Sequence, residues 1–248
     1  MNKLPEITLA FWIMKICATT LGETAGDLLS MTLRVGYAAS TVILFSVFAV
    51  TLALQFRSRS YRPFLYWLVI LSTSTVGTTM SDFMDRTLKL GYPVVSLILM
   101  IFLFLILGYW KVTEKSISVV NIRSIRAESL YWAAILASNT LGTAFGDFLA
   151  DSSGLGFVGG AILVASLIAI IAIAARFTHI SKVAIFWAAF VLTRPLGATM
   201  GDVLTKTHET GGLGFGTIGS SLVLASVLVL TVFLSSRSQP KSDLPRIA

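Results

Sequence analysis

Four aspartates, Asp27, Asp82, Asp147 and Asp202, stand in one recurring frame of a chain that otherwise avoids charge. An aromatic-Trp pair opens each copy: Phe11-Trp12, Tyr66-Trp67, Tyr131-Trp132 and Phe186-Trp187. Ten residues after each Trp comes a glycine (Gly22, Gly77, Gly142, Gly197), and four further on a small residue (Gly26, Ser81, Gly146, Gly201) directly before the aspartate. The frame is therefore W-x9-G-x3-[GS]-D. If the four carboxylates converge, they form an oxygen-rich site of the kind that suits Mg, Ca or Mn, and they can exchange protons. If they do not, they cap or solvate helix ends, or pair with Arg34, Arg86 and Lys89.

The residues ahead of each aspartate share its helical face. At steps of four lie Thr19, Glu23, Asp27; Ser74, Thr78, Asp82; Asn139, Thr143, Asp147; and Arg194, Ala198, Asp202. That spacing places each set on one side of a helix. The candidate ion or substrate ligands are thus Asp27, Asp82, Asp147 and Asp202, which are also the candidate metal ligands, with Glu23, Thr78 and Thr143. Thr20, Thr24, Thr79, Thr140 and Thr199 can add hydroxyls around them. Lys15 and Arg194 are charge-balancing or coupling residues: they neutralise Glu23 and an aspartate, pair internally for assembly, or bind an anion. Met80 and Met200 offer soft ligands or packing. No residues are arranged for catalysis: His179 and His208 lack metal-ligand spacing, and Cys17 is a lone cysteine in an apolar run.

The elements that must carry these groups belong in lipid. Of 248 residues, 55% are hydrophobic and 12% charged, with a mean hydropathy of +0.84, whereas soluble domains carry about 25% charged residues. The net charge of +7 reads as membrane orientation rather than nucleic-acid binding. After each aspartate a Gly-aromatic pair (Gly36-Tyr37, Gly91-Tyr92, Gly156-Phe157, Gly214-Phe215) opens an apolar run near 36–56, 91–110, 156–175 and 214–234. Each is long enough to cross a ~30 Å hydrocarbon core. With odd helices near 8–31, 63–85, 128–151 and 183–205, the expected fold is all-α, a polytopic membrane protein of eight transmembrane helices. These form four parallel helical-hairpin repeats around a pseudo-symmetry axis along the membrane normal.

A single membrane domain spans 1–248, with repeats at about 8–56, 63–110, 128–176 and 183–234, a cytoplasmic loop at 111–127 and a basic tail at 235–248. Lys3, Arg57, Arg59, Arg62, Lys111, Lys115, Arg123, Arg126, Arg176, Lys182, Arg237, Lys241 and Arg246 fall on one side, against Arg34, Arg86, Lys89 and Lys206 on the other. Both termini should be cytoplasmic. The tryptophans then read as anchors at the cytoplasmic interface, and the aspartates lie about 22 Å further along, toward the outer leaflet. The glycines read as small-xxx-small packing sites, and Pro195 should kink the seventh span or free a carbonyl there.

Carried by Trp12, Trp67, Trp132 and Trp187 and their G-x3-[GS]-D segments, the chain resembles a bacterial inner-membrane family of unknown function built from four tandem two-helix repeats, each with a tryptophan. The resemblance implies a multi-pass protein of the bacterial inner (plasma) membrane. Glu23-Thr-Ala-Gly-Asp27 is also similar to the Glu-x-Gly-Asp signature of cation/proton exchangers. It has one residue more, and Leu28-Leu29 stands where a basic-hydroxyl pair should follow. The function expected is a membrane transporter that exports or exchanges a cation, with divalent metal and proton coupling as the favoured chemistry. The alternatives are an intramembrane enzyme using paired aspartates and a sensor or scaffold docking through 111–127 or the tail. No cofactor is called for beyond a bound cation. The partners are the lipid bilayer and a small ion, with no nucleic acid, and a homo-oligomer stays open.

Overall fold

Local signals start the helices where the sequence places them. The Thr8 hydroxyl accepts the Phe11 N–H at 3.3 Å ahead of α1 (Leu9–Asp27), and the Ser124 hydroxyl accepts the Ala127 N–H at 2.9 Å ahead of α5 (Ile125–Asp147). Pro63 opens α3 (Pro63–Asp82), where its missing N–H costs nothing. Gly36 and Gly91 turn the chain into α2 (Tyr37–Arg57) and α4 (Tyr92–Glu114) at φ of 81° and 80°, a conformation that residues with a Cβ seldom adopt. The computed structural model describes residues 4–119, 122 and 124–238, and α6 (Gly156–Phe177), α7 (Lys182–Thr205) and α8 (Thr217–Ser238) complete eight α-helices among them. Lys3, Arg123, Lys241 and Arg246, with most of the basic tail, lie outside the described residues.

The four odd helices form a closed ring, α1 against α3, α3 against α5, α5 against α7, and α7 back against α1. Each glycine of the repeat lies under the residue three positions earlier in the frame of the next helix. A Cβ on Gly22 would meet Ser74, on Gly77 the Asn139–Thr140 backbone, on Gly142 Arg194, and on Gly197 Thr19. One turn on, Gly26 lies against Thr78, Gly146 against Ala198 and Gly201 against Glu23. The small-xxx-small pairs are thus packing sites, repeated in register around the ring.

The even helices stand outside this ring, and their pairing differs from a set of four packed hairpins. α2 packs chiefly on α3, α4 on α5, α6 on α7, and α8 returns to α1. Each repeat therefore hands its second helix to its neighbour. Five helices, α2, α4, α6, α7 and α8, are long and apolar enough to cross a membrane. Only 11% of the apolar window of α6 and 28% of that of α4 is buried, so these surfaces face outward. α1, α3 and α5 fall short of that apolarity because their hydroxyls and acids line helix contacts inside the ring.

Three features depart from the sequence reading. α4 continues to Glu114, and part of the linker after it is built into the molecule: Val119 and Ile122 are buried, and the Ile117 carbonyl accepts the Trp187 indole N–H at 3.0 Å. The first three odd helices each run from the aspartate into a five-residue π-helical turn, Leu28–Thr32, Phe83–Thr87 and Phe148–Ser152. In the fourth copy α7 instead runs on to Thr205, and a 3₁₀ turn at His208–Thr210 takes up the three extra residues. Pro195 lies inside α7 without ending it.

The repeat tryptophans are mainly interior rather than interfacial. Trp67, Trp132 and Trp187 are buried, and Trp12 is half-buried. The aromatic residue of one copy meets the Trp of the next, with ring centroids 5.6 Å apart for Phe11–Trp67, 5.7 Å for Tyr66–Trp132 and 5.9 Å for Phe186–Trp12. Between the third and fourth copies Trp110 of α4 is wedged, 6.4 Å from Tyr131 and 5.8 Å from Trp187. These rings gain more from one another than from a headgroup layer because they face the next helix of the ring.

The ring contacts predict an asymmetric cost for adding one methyl group. Gly22→Ala should destabilise by about 1–3 kcal/mol, because Ser74 cannot retreat without moving its helix. Gly108→Ala in α4, where a Cβ meets nothing within 4 Å, should leave the melting temperature in detergent unchanged or raised. Equal melting temperatures for the two variants would contradict the ring contacts.

Candidate functional site

Because the odd helices share one register, their polar stripes fall at common levels along the ring. Every position named in those stripes is buried. Nearest the aromatic end, Lys15 donates to Asn139 Oδ1 at 3.3 Å and lies 4.3 Å from the centroid of Phe190, while Asn139 Nδ2 donates to Thr73 Oγ1 at 2.8 Å. The next level holds Arg194 and Glu23, joined at 2.9 Å. The same Arg194 Nη2 donates to Thr78 Oγ1 at 2.6 Å, and Thr78 lies 3.3 Å from Glu23 Oε2. Thr143 is buried but donates weakly to the Asn139 carbonyl of its own helix, at 3.5 Å.

The aspartates occupy the far end of the ring, and the structure brings them together unequally. Lys206 bridges two of them, 2.9 Å from Asp27 and 3.2 Å from Asp202. Arg86 pairs with Asp82 at 3.0 Å. Asp147 has neither ion pair nor hydrogen bond among the described residues, although it is only 5% exposed. Oxygens of Glu23, Asp147 and Asp202 lie within 4.8 Å of one another, close enough to share one cation. Asp27 and Asp82 flank that trio, Asp82 with Arg86 and Asp27 sharing Lys206 with Asp202 of the trio.

Lys206, which the sequence reading counts only as an outer-side charge, joins this site, and so does Arg86, named there as a partner for the aspartates. Both stand four residues after an aspartate, a spacing at which side chains on a helix meet, so the signal was present. Burial opposes the charge of Lys206, but Asp202 and Asp27 outweigh that cost and hold its ammonium above the ordinary lysine range. It is a permanent cation on this site. Arg34 and Lys89, the other proposed partners, are exposed and join no ion pair among the described residues.

Several candidate ligands are turned elsewhere. Met200 is 38% exposed and so faces away from the ring, which leaves the soft-ligand reading without support. The hydroxyls of Thr20, Thr24, Thr79, Thr140 and Thr199 all donate to carbonyls three or four residues back in their own helices. Thr24 also receives a hydrogen bond from Ser221 of α8 at 2.8 Å. Cys17 is buried and donates to the Leu224 carbonyl of α8.

A family model described as a repeat of unknown function, DUF347, matches this chain four times, over residues 10–61, 65–116, 130–181 and 185–240. The chain belongs to the DUF347 repeat family. The four matches begin just before each tryptophan and take in one odd and one even helix apiece. No curated protein and no solved structure matches the chain. The DUF347 frame thus places an acid in every copy, while the groups that distinguish the copies, Lys15, Glu23, Arg194 and Lys206, set the local charge.

The Lys206 bridge predicts non-additive mutants. Lys206→Gln leaves Asp27 and Asp202 buried without a cation and should lower the melting temperature, whereas Asp27→Asn with Lys206→Gln should recover part of the loss. Strict additivity in this double-mutant cycle would show that the bridge contributes nothing.

Proposed function

We propose that this protein is a membrane transporter that exports or exchanges a cation through the carboxylate end of the odd-helix ring. The observation that carries the reading is Asp147: a buried carboxylate that joins no ion pair or hydrogen bond among the described residues, held within 4.8 Å of Glu23 and Asp202 oxygens from two other odd helices. An uncompensated acid at this depth is costly, and a bound cation or a proton removes the cost. Oxygen ligands without soft donors favour a hard ion, a divalent metal above all. Asp147 is then the group that trades a proton for the substrate ion, which makes the exchange proton-coupled.

In this reading the eight helices cross the membrane, and the outward apolar faces of the even helices meet lipid. The termini and the aromatic end are cytoplasmic, and the carboxylates open toward the opposite side of the bacterial inner membrane. The aromatic end favours a carrier over an open channel. Tyr66 and Tyr131 join their hydroxyls at 2.6 Å, and Phe11 and Phe186 lie beside them. The space among these rings and Leu4 and Val119 is about 10 Å³, no more than the ~10–15 Å³ that one water requires. Passage to that side therefore needs a movement of the ring.

Two measurements test this reading. In proteoliposomes, Asp147→Asn should reduce cation flux by at least about tenfold, as loss of a ligand-shell group commonly does, while Met200→Leu leaves it unchanged. Flux at the parent rate in Asp147→Asn would sink the proposal. For the topology, single cysteines in a Cys17→Ser background should label from opposite sides: Arg59→Cys from the cytoplasm and Lys89→Cys from outside. Labelling of both from one side would overturn the orientation.

A further inference from the structure

The carboxylate site leaves unused the two cations buried deepest in the ring. Lys15 and Arg194 are both 0% exposed. Arg194 directs one terminal nitrogen, Nη2, at Glu23, Thr78 and the Ser74 carbonyl. Its Nε and Nη1 are buried and reach no acceptor, and the neighbouring Ser74 hydroxyl is likewise buried without a hydrogen-bond partner. Lys15 meets only an amide oxygen and an aromatic face, and joins no ion pair among the described residues.

The charges at this level do not balance. Glu23 is the one carboxylate at its frame position, since the equivalent residues are Thr78, Thr143 and Ala198. It supplies a single negative charge, already bonded to Arg194, against two positive groups. A buried guanidinium that lacks acceptors on two nitrogens carries a desolvation cost that an anion removes and that hydrocarbon cannot. The planar edge made by Nε and Nη1 is the face of arginine that receives anions.

We infer that the Nε–Nη1 edge of Arg194, with the Ser74 hydroxyl and the Lys15 ammonium, binds a small monovalent anion of the halide type inside the ring. The unpartnered Arg194 edge and the Ser74 hydroxyl are adjacent buried donors, and one small anion can accept from them together. Ser74 and Arg194 both stand at close helix crossings, against Gly22 and Gly142, which limits any occupant of this edge to a small ion and excludes an organic acid. This site lies on the aromatic side of the Glu23–Arg194 pair, and Glu23 links it to the cation trio on the other side. The anion neutralises the middle of the ring and lets the carboxylate end change its charge.

The test uses full-length protein purified in gluconate, with its melting temperature measured at constant ionic strength. At about 100 mM chloride or bromide the melting temperature should rise by about 3 °C or more over gluconate, as a ligand specific to the folded state requires. Lys15→Met and Ser74→Ala, neither of which adds volume at a crossing, should fold and lose most of that rise. A bromide derivative should show anomalous scattering beside Arg194 Nε. Equal melting temperatures in halide and gluconate, or a rise that persists in both variants, would overturn the anion site and leave water as the partner of the Arg194 edge. Asp147→Asn should keep the full halide rise while losing cation flux, so failure of the transport reading and failure of the anion site are distinguishable.

Discussion

Close approach of four helices at glycine governs this molecule. Where Gly22, Gly77, Gly142 and Gly197 receive Ser74, Asn139, Arg194 and Thr19, backbones come nearer than any side chain would allow, and the same contact recurs at each crossing. Small residues at such crossings let the backbones make dense van der Waals contact, and that contact holds the helices together. A ring whose members touch in a common register also aligns the polar residues beside those glycines. The repeat's chemistry follows from the same contact that holds the ring closed.

That alignment explains why the copies differ. Four identical stripes would place four like charges at one level, which a low-dielectric interior penalises. The stripes instead carry Thr19, Ser74, Asn139 and Arg194 at one level and Glu23, Thr78, Thr143 and Ala198 at the next. One arginine and one glutamate can then pair across the α7–α1 crossing, which closes the ring. Only at the aspartate level is the acid repeated in all four copies. There the structure adds Arg86 and Lys206 and leaves Asp147 outside every ion pair among the described residues.

The two ends of the ring are built for opposite purposes. Aromatic residues interlock from copy to copy at one end, sealed by the Tyr66–Tyr131 hydrogen bond and covered by Leu4, Val119 and Ile122. At the other, three odd helices loosen into π-helical turns directly after their aspartates, a local geometry that recurs at functional sites. The fourth keeps its α-helical form and supplies Lys206 in place of a loosened turn. The proposed carrier rests on this difference between a closed aromatic end and a carboxylate end with loosened helices.

The repeat, the helix boundaries and the polar stripes were legible in the sequence, because helix periodicity and the W-x9-G-x3-[GS]-D frame are local properties of the chain. So was the burial of the stripes, since charge in an apolar helix must turn inward. The i, i+4 pairs Asp82–Arg86 and Asp202–Lys206 follow from helix spacing, the first through a partner expected for the aspartates, while Lys206 reaching Asp27 across the ring is not deducible from it. Nor were the transfer of each even helix to the next repeat, the inward turn of the tryptophans, or the isolation of Asp147. These depend on which helix lies beside which, and four segments built on one frame do not encode their own spatial order. The sequence by itself determined what each helix buries; closure of α7 and α8 onto α1 decided which buried groups meet, because only that closure sets distances between residues nearly two hundred positions apart.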